Sequence, residues 1–346
     1  MPKPVRRDDW ITRSIRAMRR RVPLVWIARS IRAMRRRAPL VRLADRLRRP
    51  WLGCLARWLA QQLDAADSRR RARHYRRVIR RRIQHQRLSP AFARTVSALR
   101  THAKFAGLRN TPLGLYDVGA RGGPPVSAYP FGEVLRLVLC EPDPVETRHL
   151  VGIEGFREVT VETRLIGAHP RRAPLRLTRK PGGSSILLPG VRTDDRHEVI
   201  REIALDVITL DQLQWDCGVP CDALKIDVQG TDFEVLAGCS ALPLCIRVEA
   251  QTYEWYLGQH LASDICELLV GRGYYLVSDF RRLKKGSGDL IFSWWGTDET
   301  DVTNSRDATS WLLAHMVLGA IDAPRFRCPE AWAEHLAELK RILELV

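Results

Sequence analysis

From about Leu115 onward the chain alternates short β-rich runs with helical stretches, and no other feature limits its fold as much. The predicted strands are 114–120 (GLYDVGA), 135–141 (LRLVLCE), 159–167 (VTVETRLIG), 173–179 (APLRLTR), 202–210 (EIALDVITL), 223–229 (ALKIDVQ), 244–250 (LCIRVEA), 274–280 (YYLVSDF) and 289–295 (DLIFSWW). Helices are predicted over 142–152, 209–216, 230–239 and 260–272. Runs such as LRLVLC and CIRV are almost continuously apolar, which is the pattern of strands covered on both faces. Strand–helix alternation built on such strands predicts a doubly wound, mostly parallel α/β sheet.

The first hundred residues obey a different grammar. They carry 30 Lys+Arg against 5 Asp+Glu, and the remainder carries 27 against 34. The net charge of +18 therefore describes neither a strongly basic arm nor a mildly acidic body. Residues 10–41 hold a tandem repeat, WITRSIRAMRRRVPLV followed by WIARSIRAMRRRAPLV, with two of sixteen positions different. Apolar residues recur at helical spacing (Ile11, Ile15, Met18, Val22, then Ile27, Ile31, Met34), and Pro23 and Pro39 end or kink each turn of the pattern. The stretch 69–87 is very basic and also predicted helical. Arg-rich amphipathic helices with Trp10, Trp26, Trp51 and Trp58 among their apolar residues suit the surface of an anionic membrane, over residues 1–90. Nucleic acid would attract the same charge and is the weaker expectation. A plain solvated extension is the third.

No run approaches the roughly 18 apolar residues of a spanning helix, and arginines interrupt every stretch that could serve as a signal-peptide core. The eight cysteines form no Cys-x-x-Cys pair, and Cys217-x-x-x-Cys221 has no second pair or His cluster after it. A reduced, cytoplasmic protein without a metal site is expected, peripheral at the inner membrane face if the arm binds lipid. Three segments follow: a helical extension over 1–100, a ligand-binding domain over 101–296, and a C-terminal helical hairpin over 297–346 with helices near 307–320 and 329–345.

Chemistry concentrates in three places. LYDVGARGG (115–123) is a strand running into a glycine turn, where backbone approaches a ligand closely and Asp117 sits at the strand's carboxyl end. Pro124 and Pro125 follow, so the next helix is expected to be delayed or short. Glu141 ends the next apolar strand, one βαβ step downstream, where an acid accepts hydrogen bonds from ribose hydroxyls. Nicotinamide-dependent dehydrogenases share that order, but their turn more often reads Gly-x-Gly-x-x-Gly. In LKIDVQGTDFEVLAG (224–238), Lys225, Asp227 and Gln229 alternate onto one face or rim, and Thr231 or Asp232 is placed to cap a helix. A polar triplet in an apolar strand is costly to bury without partners, which marks a site rim. Asp227 itself serves equally well as a structural carboxylate there.

The pieces DVGARGG (117–123), CEPDP (140–144), GGSSILLPG (182–190), LDVITLDQL (205–213), LKIDVQGTDFEVLAG, VEAQTYEWY (248–256) and GDLIF (288–292) resemble, in order, the FkbM methyltransferases. The resemblance spans about Leu115 to Trp295. It implies a Rossmann-like class I methyltransferase fold with a seven-stranded sheet. It also implies S-adenosyl-L-methionine as methyl donor and a hydroxyl of a saccharide, glycan or natural product as acceptor. Asp117, Gly119, Arg121 and Gly122 would line the methionine end, Glu141 would hold the ribose, and Asp143 would lie near the adenine. Asp227 would sit closest to the reacting centre with Lys225 and Gln229 beside it. As proton acceptor Asp227 leads, with Glu249 and then His197 behind. Many relatives carry Glu where this chain has Gln229, and a Gln there takes no proton. Ser184 and Ser185 fall on a loop that is a lid candidate. His197 reads as an exposed polar residue, and Trp294 and Trp295 as packing at the sheet edge. Two other functions stay open: a nicotinamide-dependent oxidoreductase, and an inactive methyltransferase fold that binds membrane or nucleic acid through the arm.

Overall fold

The computed structural model describes residues 90–101, 103–277, 283, 286–294 and 308–320. The repeat at 10–41, the basic stretch 69–87 and the expected helix at 329–345 lie outside the described residues.

The body is a mixed α/β fold around a largely parallel seven-stranded sheet. Its strands are β1 (Leu113–Val118), β2 (Leu135–Cys140), β3 (Glu158–Glu162), β7 (Ala223–Ile226), β8 (Cys245–Gln251), β9 (Tyr274–Leu276) and β10 (Ser287–Trp294), in the order β3-β2-β1-β7-β8-β10-β9. β1 pairs in parallel with both β2 and β7, whereas β10 runs antiparallel to β8 and β9. From β1 the chain builds outward through β2 to β3, then returns to place β7 on β1's other side. That reversal is the switch point where open α/β sheets bind ligands at the carboxyl ends of their strands.

Side-chain alternation explains why both faces of the sheet are covered. Leu113, Leu115, Leu137, Leu139 and Ile291 face helices α1 (Pro90–Thr101) and α7 (Ala308–Val317), meeting Leu99, Trp311 and Met316 in one apolar cluster. Tyr116, Val118, Val138 and Ile226 face the other way, onto α4 (Leu210–Cys217), α5 (Asp232–Ala237) and α6 (Ala262–Gly271). Each such side chain contributes about 1.5–3 kcal/mol on burial. All six residues of β1 are buried, as its apolar run predicts. Two short helices complete the body, α2 (Ala103–Gly107) and α3 (Pro144–Leu150).

The structure differs from the sequence reading over 159–167 and at His197. The expected strand 159–167 is two strands in two sheets. β3 ends at Glu162, whose Oε1 accepts the N–H groups of Thr163 (2.8 Å) and Arg164 (2.7 Å) and turns the chain. β4 (Leu165–Ile166) then joins β5 (Arg171–Thr178) and β6 (Val199–Ile208) in a three-stranded sheet of order β4-β6-β5. After the glycine turn, Val126–Val134 forms a 3₁₀ segment, in keeping with Pro125 at its entry and Pro130 within it. His197 is buried, its Nδ1 3.1 Å from Asp194 Oδ1 and its ring packed under Gly183. Trp294 is partly buried, and its carbonyl accepts the Trp311 indole N–H at 3.2 Å. Among the described residues no helix is long and apolar enough to cross a membrane.

Candidate active site

A cleft with about 880 Å³ of space, open to solvent, lies at the carboxyl ends of β1, β2 and β7. Its floor and one end come from Val118, Gly119, Arg121, Cys140, Glu141 and Asp143, and the other end from Asp227, Val228, Gln229 and Thr231. The small sheet and the connection between its second and third strands in chain order supply the remaining wall, through Leu165, Ile166, Leu175, Pro181, Gly182, Ser184, Ser185 and Ile186.

The glycine turn brings the two ends of the cleft together. Gly119 has φ +84°, and a Cβ there would stand 1.9 Å from the Asp227 carbonyl oxygen. Only glycine lets the chain after β1 pass so close to the chain after β7. Beneath the turn, Asp117 is fully buried, and Lys225, in register with it on β7, donates to its Oδ1 at 2.7 Å. Burial pushes the Asp117 carboxyl up, and the Lys225 ammonium opposes that rise. Burial works against the Lys225 charge in turn, but the Asp117 and Asp227 carboxylates outweigh it and raise its pKa. Asp117 Oδ2 is buried without a hydrogen-bond partner. Asp117 and Lys225 are thus a foundation under the turn and not part of the cleft wall; Gly122 and Glu249 also stand outside that wall.

At the β2 end an arginine organises the acids. Arg121 lies 2.8 Å from Asp143 Oδ2, 3.4 Å from Glu146 Oε1 and 3.8 Å from Glu141 Oε2. Glu141 is 4% exposed and its Oε1 accepts the Asp143 N–H at 2.9 Å. Burial pushes the Glu141 carboxyl up to about 7, despite the neighbouring guanidinium. Asp143 also caps α3 by accepting the Val145 N–H at 2.9 Å. A carboxyl this buried, aimed into a cleft and poised near neutrality, fits a ligand that brings its own hydroxyl donors.

At the β7 end the holding groups are amides. Gln229 donates through Nε2 to Asp227 Oδ1 (2.7 Å) and to Glu249 Oε2 (3.0 Å), and Gln251 Nε2 donates to the same Glu249 oxygen (3.2 Å). Burial pushes Glu249 up to about 9, helped by the charges of Asp227 and Asp232. Asp232 accepts the N–H groups of Val228 (3.2 Å) and Gly230 (3.1 Å), so it, and not Asp227 or Thr231, supports the turn into α5. Burial and the Asp227 charge raise Asp232 to about 7. Ser184 Oγ accepts the Thr178 N–H at 3.2 Å, and Ser185 Oγ donates to the Gln229 carbonyl at 2.7 Å. Both serines line the cleft, and His197 does not.

Sequence reasoning missed the wall built by Leu165, Ile166 and Leu175, because strand pairing across some 40 residues leaves no local signal. It also passed over Tyr256, whose hydroxyl reaches Gln229 Oε1 at 3.1 Å; the quoted run VEAQTYEWY contained it. Among the described residues no group of three or more His, Cys, Asp or Glu side chains could hold a metal ion.

A glycine turn, an acid one βαβ step on and a polar rim at the switch point stand together in a mixed α/β fold compatible with that of a methyltransferase. Residues 119–276 match the family model described as the methyltransferase FkbM domain, so this part of the chain is similar to those methyltransferases and spans both ends of the cleft. No curated relative matches the chain.

Proposed function

We propose that the protein is an S-adenosyl-L-methionine-dependent methyltransferase that acts on a hydroxyl of a saccharide, glycan or natural product. The observation that carries the proposal is the buried Glu141 carboxyl set beside the Gly119 turn in a cleft at the switch point. The residues fit such a group: Gly119 leaves backbone space beside the cleft, and Glu141, which lines it, would accept ribose hydroxyls. When bound, the cofactor supplies an electrophilic methyl group. Arg121 holds Glu141 and Asp143 in place at that end. Transfer to oxygen depends on in-line approach, so the protein's main task is positioning. A carboxylate at the other end of the cleft would take the proton of the acceptor hydroxyl. Asp227 is the candidate, because it lines the cleft. Glu249, at about 9, still holds its own proton at neutral pH, and Asp232 is committed to backbone N–H groups.

The test is thermal shift and calorimetry with S-adenosylhomocysteine, NAD and buffer alone. Stabilisation by S-adenosylhomocysteine is the expected result. Stabilisation by NAD alone indicates an oxidoreductase, and no shift with either indicates a binding protein on an inactive fold. Mass spectrometry of cell-envelope glycans with and without the gene then looks for a lost methyl group.

The excess of 25 positive charges in residues 1–100 favours a second role for that arm, contact with an anionic membrane at the cytoplasmic face. Flotation with acidic vesicles at low and moderate salt tests it. Retention on DNA instead of vesicles reassigns the arm to nucleic acid.

A further inference from the structure

Gln229 has φ +59°, the left-handed region, and among the described residues it is the one non-glycine residue there. A side chain in that region persists only where the surroundings impose it. Here its amide nitrogen, its amide oxygen and its main-chain carbonyl are all engaged. The two N–H bonds of its amide point at two carboxyls, Asp227 and Glu249. Its Oε1 faces the Tyr256 hydroxyl, and its main-chain carbonyl accepts from Ser185. An amide meets both demands at once, whereas an ionised carboxylate in the same place has no N–H to give.

The contacts close into a ring. The Tyr256 hydroxyl also lies 3.0 Å from the Gly183 carbonyl oxygen. Glu249 is joined to Gln251, and the Gln259 amide donates to Gln251 Oε1 at 3.2 Å while its own oxygen accepts the N–H groups of Trp255 (2.8 Å) and Tyr256 (2.7 Å). That turn is stitched back to the cleft wall: Gly190 N–H donates to the Trp255 carbonyl at 2.7 Å and Leu257 N–H to the Leu188 carbonyl at 2.9 Å. The carboxylate and the wall at one end of the cleft are therefore held by the same residue.

We propose that Gln229 is a positioning residue: its amide fixes the Asp227 carboxylate against Glu249 and fastens both to the 181–190 segment, whose residues Ser184, Ser185 and Ile186 line the cleft. The inference rests on the cofactor assignment above. Its consequence is discrimination at that end. S-adenosylmethionine and S-adenosylhomocysteine differ by one methyl group and one positive charge, so the ratio of their affinities reads the charge that Asp227 presents to the cleft. A loss of overall foldedness lowers both affinities together and leaves the ratio alone.

The experiment is calorimetry of both ligands on the full chain and its variants Gln229→Met and Tyr256→Phe, with hydrogen exchange followed over 181–190. Gln229→Met keeps the length of the side chain and removes its donors and acceptor. It should cost S-adenosylmethionine at least fivefold in affinity relative to S-adenosylhomocysteine and speed exchange in 181–190 at least tenfold. Tyr256→Phe removes one hydroxyl, keeps the variant series informative if Gln229→Met does not fold, and should move both readouts the same way by a smaller factor. A ratio constant within twofold in a variant that binds both ligands, with unchanged exchange, overturns the inference. Failure of the unaltered protein to bind either ligand overturns the cofactor assignment instead.

Discussion

At the Glu141 end of the cleft one arginine gathers three carboxylates, while at the Asp227 end amides and a hydroxyl do the holding. The contrast follows from what each end must do. Arg121 is partly exposed, and its attraction to Glu141, Asp143 and Glu146 is long-ranged and forgiving of small movements. Hydrogen bonds from Gln229 are short and directional, so they fix positions more closely than they fix charge. On the proposed function, the first end would set an electrostatic environment for the ligand and the second a geometry. The buried pair Asp117–Lys225 lies under the point where the two ends meet.

The comparison breaks most easily at that foundation. Lys225→Met leaves the Asp117 charge buried and unpaired, and should cost about 3–5 kcal/mol in urea unfolding. Gly119→Ala forces a Cβ toward the Asp227 carbonyl at a left-handed φ, driving the two ends apart; about 3 kcal/mol of stability should go with it, together with S-adenosylhomocysteine binding. A loss under 1 kcal/mol would mean that the ends do not depend on their contact.

The Asp227 end can also be read by pH. A carboxyl whose folded pKa lies above its unfolded value binds more protons folded than unfolded between the two values, so stability falls as pH rises across that window. For Glu249 the window runs from the ordinary carboxylate range to about 9, and for Glu141 only to about 7. The unfolding midpoint should fall from pH 5 to 9. Glu249→Gln should remove most of the fall between pH 7 and 9, about 2 kcal/mol. An unaltered slope in that variant would show that Glu249 is ionised at neutral pH. Smallest is the effect at the arginine. Arg121→Gln should weaken S-adenosylhomocysteine about tenfold in calorimetry, about 1.4 kcal/mol, and the loss should shrink in high salt. A loss independent of salt would place geometry at this end too.

How much of this was legible varied with how local its cause is. β1, β2, β7 and β8 are buried strands whose apolar runs declare them, and the Gly119 turn and Glu141 follow from spacing along one βαβ unit. The boundary at Glu162 carried a readable sign, the polar Glu162–Thr163–Arg164 inside an apolar run, but the sheet that Leu165 and Ile166 join depends on β6, some 40 residues away. Buried His197 was misread because its neighbours Asp194, Asp195 and Arg196 look like a surface, while the contact that buries it comes from Gly183. The alternation of Lys225, Asp227 and Gln229 reads as one rim, but Asp227 and Gln229 line the cleft and Lys225 does not, and nothing in the sequence separates their roles. Lys225 turns to Asp117 under the sheet's end, and Gln229 reaches Asp227 only because its backbone flips to positive φ.

One consequence follows from where the sheet begins and ends. The matched segment starts at Gly119, one residue after β1, and stops at Leu276, before β10. A gene fragment cut at those limits would lack the central strand, including Asp117, along with β10 and the buried face of α7. Lys225 would have no counter-charge, and Leu137, Leu139 and Cys245 would lie open to water. Such a fragment should aggregate when expressed. A fragment that keeps this core whole must reach at least from Phe92 to Leu318, the outermost buried residues of the shared core among the described residues.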